Sequence, residues 1–368
     1  MKPVIVGCRT DHFTDEQLDV FKTHQPLGMI VFAEPFKVGP EAVHNVVKQF
    51  KSVCPHAKFL IDMEGGAVNR MKPQYGHGWR DIPSARDFEG LIKHDLTKAR
   101  EAIYLNAQLI ADDMMRFGIN VNTAPVVDLI SEEVIVTTGT DEKPHATSAD
   151  MYKRSYSDDP MIVTQCGKAF ADGLHSLGVT SVLKHAPGYG RTAVDPHFSS
   201  HHINLSREAM MASDLMPYIQ MKDYPAIMTV HRVYEQIDAQ NPATISPIIM
   251  KMLRHDVGFK GVIIADSIEM NSIYPQGFST TQRDQFGIGL PLDGTLAYVT
   301  KRVLDAGCDV VLHSDCSRDF AHTVEILEAA SEMTDTRAGW MLDTLTVKPS
   351  VTSFNREMAL KQLDVLMK

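Results

Sequence analysis

Eight short apolar runs recur along the chain: PVIVG (3–7), GMIVF (28–32), FLIDM (59–63), INVNTAPV (119–126), VTSVLKH (179–185), AIMTVH (226–231), GVIIAD (261–266) and DVVLHS (309–314). Their apolar character is continuous rather than alternating, which predicts strands buried on both faces, as in a parallel sheet. Helical patterns lie between many of them, including 96–118, 160–178 and 246–258, and several close on a glycine just before the next strand. Eight such repeats predict a (β/α)8 TIM barrel rather than a doubly wound sheet. Beyond residue 325 the pattern is helical only, and no linker-like stretch divides the chain. The expectation is one domain over 1–368 with a helical C-terminal tail. Two connections, 131–153 and 271–296, are too long for a minimal barrel. Loops of that length inside a compact domain are commonly lids or specificity elements.

The polar residues follow the strands. Asp62, Glu64, Asn122, Lys184, His185, His231, Asp266, His313 and Asp315 all stand at or just beyond the C-terminal end of an apolar run. In a barrel those ends converge on one rim, where active sites are built.

Composition narrows the function classes. The chain of 368 residues is 44% hydrophobic and 22% charged, as in a soluble globular protein. A net charge of −10 argues against nucleic-acid and anionic-membrane partners, which need clustered Lys and Arg. The apolar run near the N-terminus is too short for a signal peptide or a membrane anchor. Five widely spaced cysteines without a CxxC pair read as reduced thiols. Together these point to a cytoplasmic protein, a monomer or weak oligomer, with a small-molecule ligand.

The segment 182–202, VLKHAPGYGRTAVDPHFSSHH, carries His185, His197, His201 and His202 on a loop too rich in Gly and Pro to be helical. Such a loop places side chains rather than packing a core. The histidine spacing matches no zinc motif, so no metal site is expected.

The ordered blocks IDMEGGAVNRM, INVNTAPVVDL, KRSYSDDP, LKHAPGYGRTAVDPH, IMTVHRVY and GFKGVIIADSIEM carry a resemblance over about residues 26–320. The chain resembles glycoside hydrolase family 3, most closely the single-domain bacterial β-N-acetylglucosaminidases (β-hexosaminidases) of peptidoglycan recycling. The resemblance implies a retaining hydrolase that needs no cofactor and releases terminal N-acetylglucosamine from muropeptides through a covalent glycosyl-enzyme. It implies that Asp266 is the nucleophile, that His197 is the general acid/base and that Asp195 orients it. It further implies that Asp62, Arg70, Arg154, Lys184 and His185 contact sugar hydroxyls; His231, on the same rim, is a candidate to line the pocket with them or equally to serve in the core behind it. Two positions depart from the family pattern: Pro196 stands where a small polar residue is expected, and Ser267 stands where a second Asp often follows the nucleophile. Two other readings remain: a β-N-acetylglucosaminide phosphorylase with the same Asp and His, and a non-catalytic sugar-binding barrel.

Overall fold

A computed structural model describes residues 1–130, 152–190, 202–273, 282–283, 289–290, 295–314, 316 and 320–368. Eight parallel strands close a barrel: β1 (Lys2–Cys8), β2 (Pro26–Val31), β3 (Lys58–Ile61), β4 (Val121–Asn122), β5 (Thr180–Ala186), β6 (Ala226–Thr229), β7 (Val262–Ser267) and β8 (Val310–His313). Each strand pairs with its neighbours in sequence, and β1 closes on β8 through the pairs Val4 with Val311 and Ile5 with Leu312. The (β/α)8 expectation is met, and all eight apolar runs are barrel strands. The run at 119–126 forms only a short ladder. Pro125 brings no donor, and the Asn122 side chain instead clamps the Met63 backbone, accepting from its N–H and donating to its carbonyl at 3.0 Å each.

The principal helices are α1 (Asp15–His24), α2 (Pro40–Val53), α3 (Leu96–Met115), α4 (Pro160–Ser176), α5 (Met216–Gln220), α6 (Pro247–His255), α7 (Thr295–Ala306), α8 (Phe320–Ala329), α9 (Asp335–Thr344) and α10 (Arg356–Leu366). Their starts follow from capping chemistry. Thr14 and Gln17 form a capping box at α1, while Asp95, Asp159 and Ser246 cap α3, α4 and α6. Pro160 and Pro247 occupy first-turn positions whose N–H groups would otherwise lack partners. The packing of α3 against α4 depends on Gly173, where a Cβ would sit 2.5 Å from the Tyr104 carbonyl oxygen. Among the described residues no helix is long and apolar enough to cross a membrane.

The strands divide their side chains between two cores. Even-step positions Ile5, Ile30, Leu60, Val121, Val182, Met228, Ile264 and Leu312 fill the barrel interior, whereas their neighbours face the helices. The end of the barrel at which the strands begin is closed by α9, whose Met341 joins the interior cluster together with Leu345 just beyond it. Thr180 Oγ1 donates to the Leu345 carbonyl at 3.1 Å, Lys2 Nζ donates to the Ala330 carbonyl at 2.7 Å, and Lys58 Nζ donates to Thr346 Oγ1. The opposite end is left for the polar rim. Of the two long connections, 131–151 and most of 274–294 lie outside the described residues.

Candidate active site

Strand alternation carries the interior outward into polar chemistry. Two residues beyond Leu60, Val121, Val182 and Ile264 stand Asp62, Thr123, Lys184 and Asp266. Each side chain therefore forms the layer above the apolar plug. Asp62 accepts hydrogen bonds from Thr123 Oγ1 and from Arg70 at 2.5 Å, and Lys184 Nζ lies 3.2 Å from its Oδ1. Arg70 reaches Asp62 from a hairpin, Met63–Gly65 paired with Val68–Asn69, whose turn carries the two glycines of the EGG triplet. At Gly65 (φ 104) an added Cβ would lie 2.1 Å from the Pro83 carbonyl oxygen, so the turn closes only with glycine.

Glu64 joins the same network. Arg154 grips it with two parallel bonds, Nε to Oε2 at 2.8 Å and a terminal nitrogen to Oε1 at 2.9 Å. Lys184 Nζ stands 2.7 Å from Glu64 Oε1, so this one lysine ties both carboxylates together. Burial alone would raise the Asp62 carboxyl, but Lys184 and Arg70 outweigh it and hold the group well below the usual carboxylate range. Burial likewise opposes ionisation of Glu64, and Arg154 with Lys184 overcome it, bringing the carboxyl to about 2. Both carboxylates are thereby held in their ionised forms.

The network continues into His185. Its Nδ1 lies 2.7 Å from Asp128 Oδ2, and an Arg154 nitrogen lies 3.3 Å from its Nε2. A carboxylate takes a proton and a guanidinium only donates, so these partners assign the Nδ1–H tautomer with Nε2 as acceptor. Asp128, fully buried, also accepts from the backbone N–H groups of His185 and Tyr189, the latter at 2.8 Å. The Lys184–His185 and Ala186–Pro187 peptides are both cis.

Asp266 sits at the end of β7, partly exposed, with Oδ1 accepting from the Ser267 N–H at 2.7 Å. Its other oxygen has no hydrogen-bond partner among the described residues. A carboxylate so placed is oriented through one oxygen and open at the other, which suits it for attack on an electrophilic carbon.

The structure brings Asp62, Arg70, Arg154, Lys184 and His185 into one bonded cluster and puts Asp266 in the same layer as Asp62 and Lys184. Two of the residues expected at the site, Asp195 and His197, lie outside the described residues, as does His201. For His231 the pocket-lining role gives way to the supporting one: it is fully buried, with Nδ1 2.7 Å from Thr244 Oγ1 and Nε2 2.8 Å from the Ser267 carbonyl oxygen. With both ring nitrogens engaged by the protein, it braces the strand end that carries Asp266. Among the described residues no group of three or more His, Cys, Asp or Glu is placed to hold a metal ion.

Sequence reasoning did not single out Thr123, Asp128 or Glu269. Counting two residues on from Val121 would have found Thr123. Asp128 follows an irregular Pro-containing stretch where no periodicity applies. Glu269 lies past the end of β7, where its Oε1 accepts from the Ser314 N–H at 3.0 Å and pairs with His313 Nδ1.

Known proteins share this arrangement of chain. The chain is 28% identical over 328 residues to a β-hexosaminidase of Stenotrophomonas maltophilia (strain K279a), covering 88% of this chain and 87% of that one. Two crystal structures of NagZ from Neisseria gonorrhoeae superpose along 100% of this chain and 98% of theirs, each at 22% identity: a complex with N-trifluoroacetyl-D-glucosamine (TM-score 0.79) and a complex with a zinc ion (TM-score 0.77). At that identity the likeness establishes the shared barrel fold. The model of the glycosyl hydrolase family 3 N-terminal domain matches residues 12–338. A barrel whose strand ends carry this ion-paired rim, matched along most of its length by that model, belongs to glycosyl hydrolase family 3.

Proposed function

We propose that the protein is a retaining β-N-acetylhexosaminidase that removes terminal β-linked N-acetylglucosamine from peptidoglycan-derived muropeptides. The observation that carries this reading is the rim of Asp62, Glu64, Arg70, Arg154, Lys184 and His185 beside the half-open carboxylate of Asp266. A monosaccharide presents several hydroxyls that each donate and accept. A ring of fixed carboxylates, ammonium, guanidinium and imidazole groups matches them with charge-assisted bonds. A buried site group left unpaired by a wrong ligand costs about 1–3 kcal/mol, so such a rim discriminates as well as binds. The relatives' names, β-hexosaminidase, support the N-acetylated sugar over other pyranosides.

In the proposed reaction, Asp266 attacks the anomeric carbon as the glycosidic bond breaks, and His197 gives its proton to the departing oxygen. In the second half, His197 takes a proton from water, which attacks the same carbon and releases Asp266. Asp195 holds the imidazole in its working orientation. The support for His197 and Asp195 is the VDPH block at 194–197, two residues of the right chemistry separated by one. All bond changes are supplied by carboxylate, imidazole and water, so excess chelator is expected to leave the rate unchanged. All five cysteines are buried and none is in a disulfide, which fits a cytoplasmic location.

Side-by-side assays with an aryl N-acetyl-β-glucosaminide and the matching β-glucoside test the reading. Strong preference for the N-acetylated sugar is expected, with free N-acetylglucosamine as product whether or not inorganic phosphate is present. Equal rates on the two sugars would refute the N-acetylhexosaminidase assignment, and a sugar phosphate product would make the enzyme a phosphorylase.

A further inference from the structure

We propose that Glu269 is a positioning residue for Asp266, acting through Ser267. The inference rests on the reading of Asp266 as nucleophile and adds the device that aims it. Ser267 uses every hydrogen-bonding group it has. Its N–H donates to Asp266 Oδ1 at 2.7 Å, its carbonyl accepts from His231 Nε2 at 2.8 Å, and its hydroxyl donates to Glu269 Oε2 at 2.6 Å. The Ser267 carbonyl also accepts from the Met270 N–H at 3.2 Å, so the N–H that holds Asp266 belongs to a residue tied at its carbonyl and its hydroxyl alike.

Glu269 is itself anchored to the neighbouring strand. Its Oε1 pairs with His313 Nδ1 at the end of β8 and accepts from the Ser314 N–H at 3.0 Å, while His313 Nε2 lies 2.9 Å from Thr323 Oγ1 on α8. The Ile268 N–H adds a bond to the Leu312 carbonyl at 3.1 Å. A continuous line of bonds thus runs from an outer helix through β8 and Glu269 to the residue whose backbone orients the carboxylate. Burial opposes ionisation of Glu269, but His313 outweighs it and brings the carboxyl to about 2, so the acceptor is anionic at neutral pH. Orientation matters to rate because reacting atoms held even about 1 Å off line cost as much as 10²-fold.

The test compares wild type with Glu269→Gln and Ser267→Ala. Three quantities are read: the rate at which a 2-fluoro aryl glycoside labels Asp266, kcat and KM on an aryl N-acetyl-β-glucosaminide, and Tm. Both variants are expected to slow labelling and kcat together by roughly 10- to 100-fold, with KM changed less than about threefold. Ser267→Ala leaves the Glu269 to His313 fastening in place, so its Tm should fall less than that of Glu269→Gln. Wild-type labelling kinetics in Ser267→Ala would overturn the proposal, leaving Glu269 as a fastener between β7 and β8. Should Glu269→Gln fail to fold, Ser267→Ala decides by the same criterion. Labelling of wild type at a residue other than Asp266 would instead sink the nucleophile reading and this inference with it.

Discussion

Asp128 touches none of the groups on the rim except through His185, whose ring and backbone it holds. Asp128→Asn removes the charge from the acceptor and offers an N–H to at least one donor that needs an acceptor. A hydrogen bond to a charged group is worth about 1.5–3 kcal/mol, so kcat/KM is expected to fall by roughly 10- to 150-fold while Asp266 still labels. Steady-state kinetics on an aryl N-acetyl-β-glucosaminide check this; a loss under twofold would show that His185 keeps its orientation without Asp128. At this scale the site was readable where alternation operates. Asp62, Lys184 and Asp266 each follow a buried interior residue by two positions, so their direction was implicit in the pattern. The same count from Met228 skips His231, and only the folded chain shows its ring bonded to Thr244 and the Ser267 carbonyl. Asp128 was beyond reach because after Asn122 the regular strand gives way to an irregular stretch joined to β5 by an isolated bridge, Val126 with Lys184, where alternation no longer sets direction.

At the level of elements, the ion pairs weld the ends of separate strands to one another. Asp62 and Glu64 follow β3, Lys184 lies two residues before the end of β5, and Arg154 arrives from the segment before α4. The sign of the pH dependence follows. Glu64 folds with its carboxyl at about 2 against an ordinary 4.5, and Asp62 is depressed as well. Their contribution to stability is complete above the unfolded values and is lost as pH falls through the folded ones. Melting temperature is therefore expected to drop from about pH 4.5 toward pH 2, and Glu64→Gln should flatten part of that drop. Identical slopes in the variant and wild type would count against an ionised Glu64 in the fold. The strands themselves were readable because burial on both faces leaves an unbroken apolar run. The length of β4 was not, since side-chain clamps on the Met63 backbone replace part of its ladder.

The whole molecule separates stability from chemistry by putting them at opposite ends of the barrel. Met341 and Leu345 complete the interior where the strands begin, and the polar rim stands where they end. Met341→Ala leaves a cavity in a fully buried position and is expected to cost about 2–5 kcal/mol of stability with kcat/KM unchanged. Denaturant melts and kinetics on the same preparation check both halves. A rate loss larger than about threefold at a temperature where the variant is folded would mean the plug reaches the site. A helical tail was expected from the sequence, but its role was not: an apolar helix face says that something is covered, not that the uncovered element is a barrel floor.

If Asp266 is the nucleophile it forms a covalent bond to the sugar, which mass spectrometry after inactivation with a 2-fluoro aryl glycoside detects. One added glycosyl mass is expected on the peptide containing GVIIADSIEM, located to Asp266, with nearly complete loss of turnover in a folded Asp266→Ala variant. A label on any other residue, or turnover that survives the substitution, would contradict it.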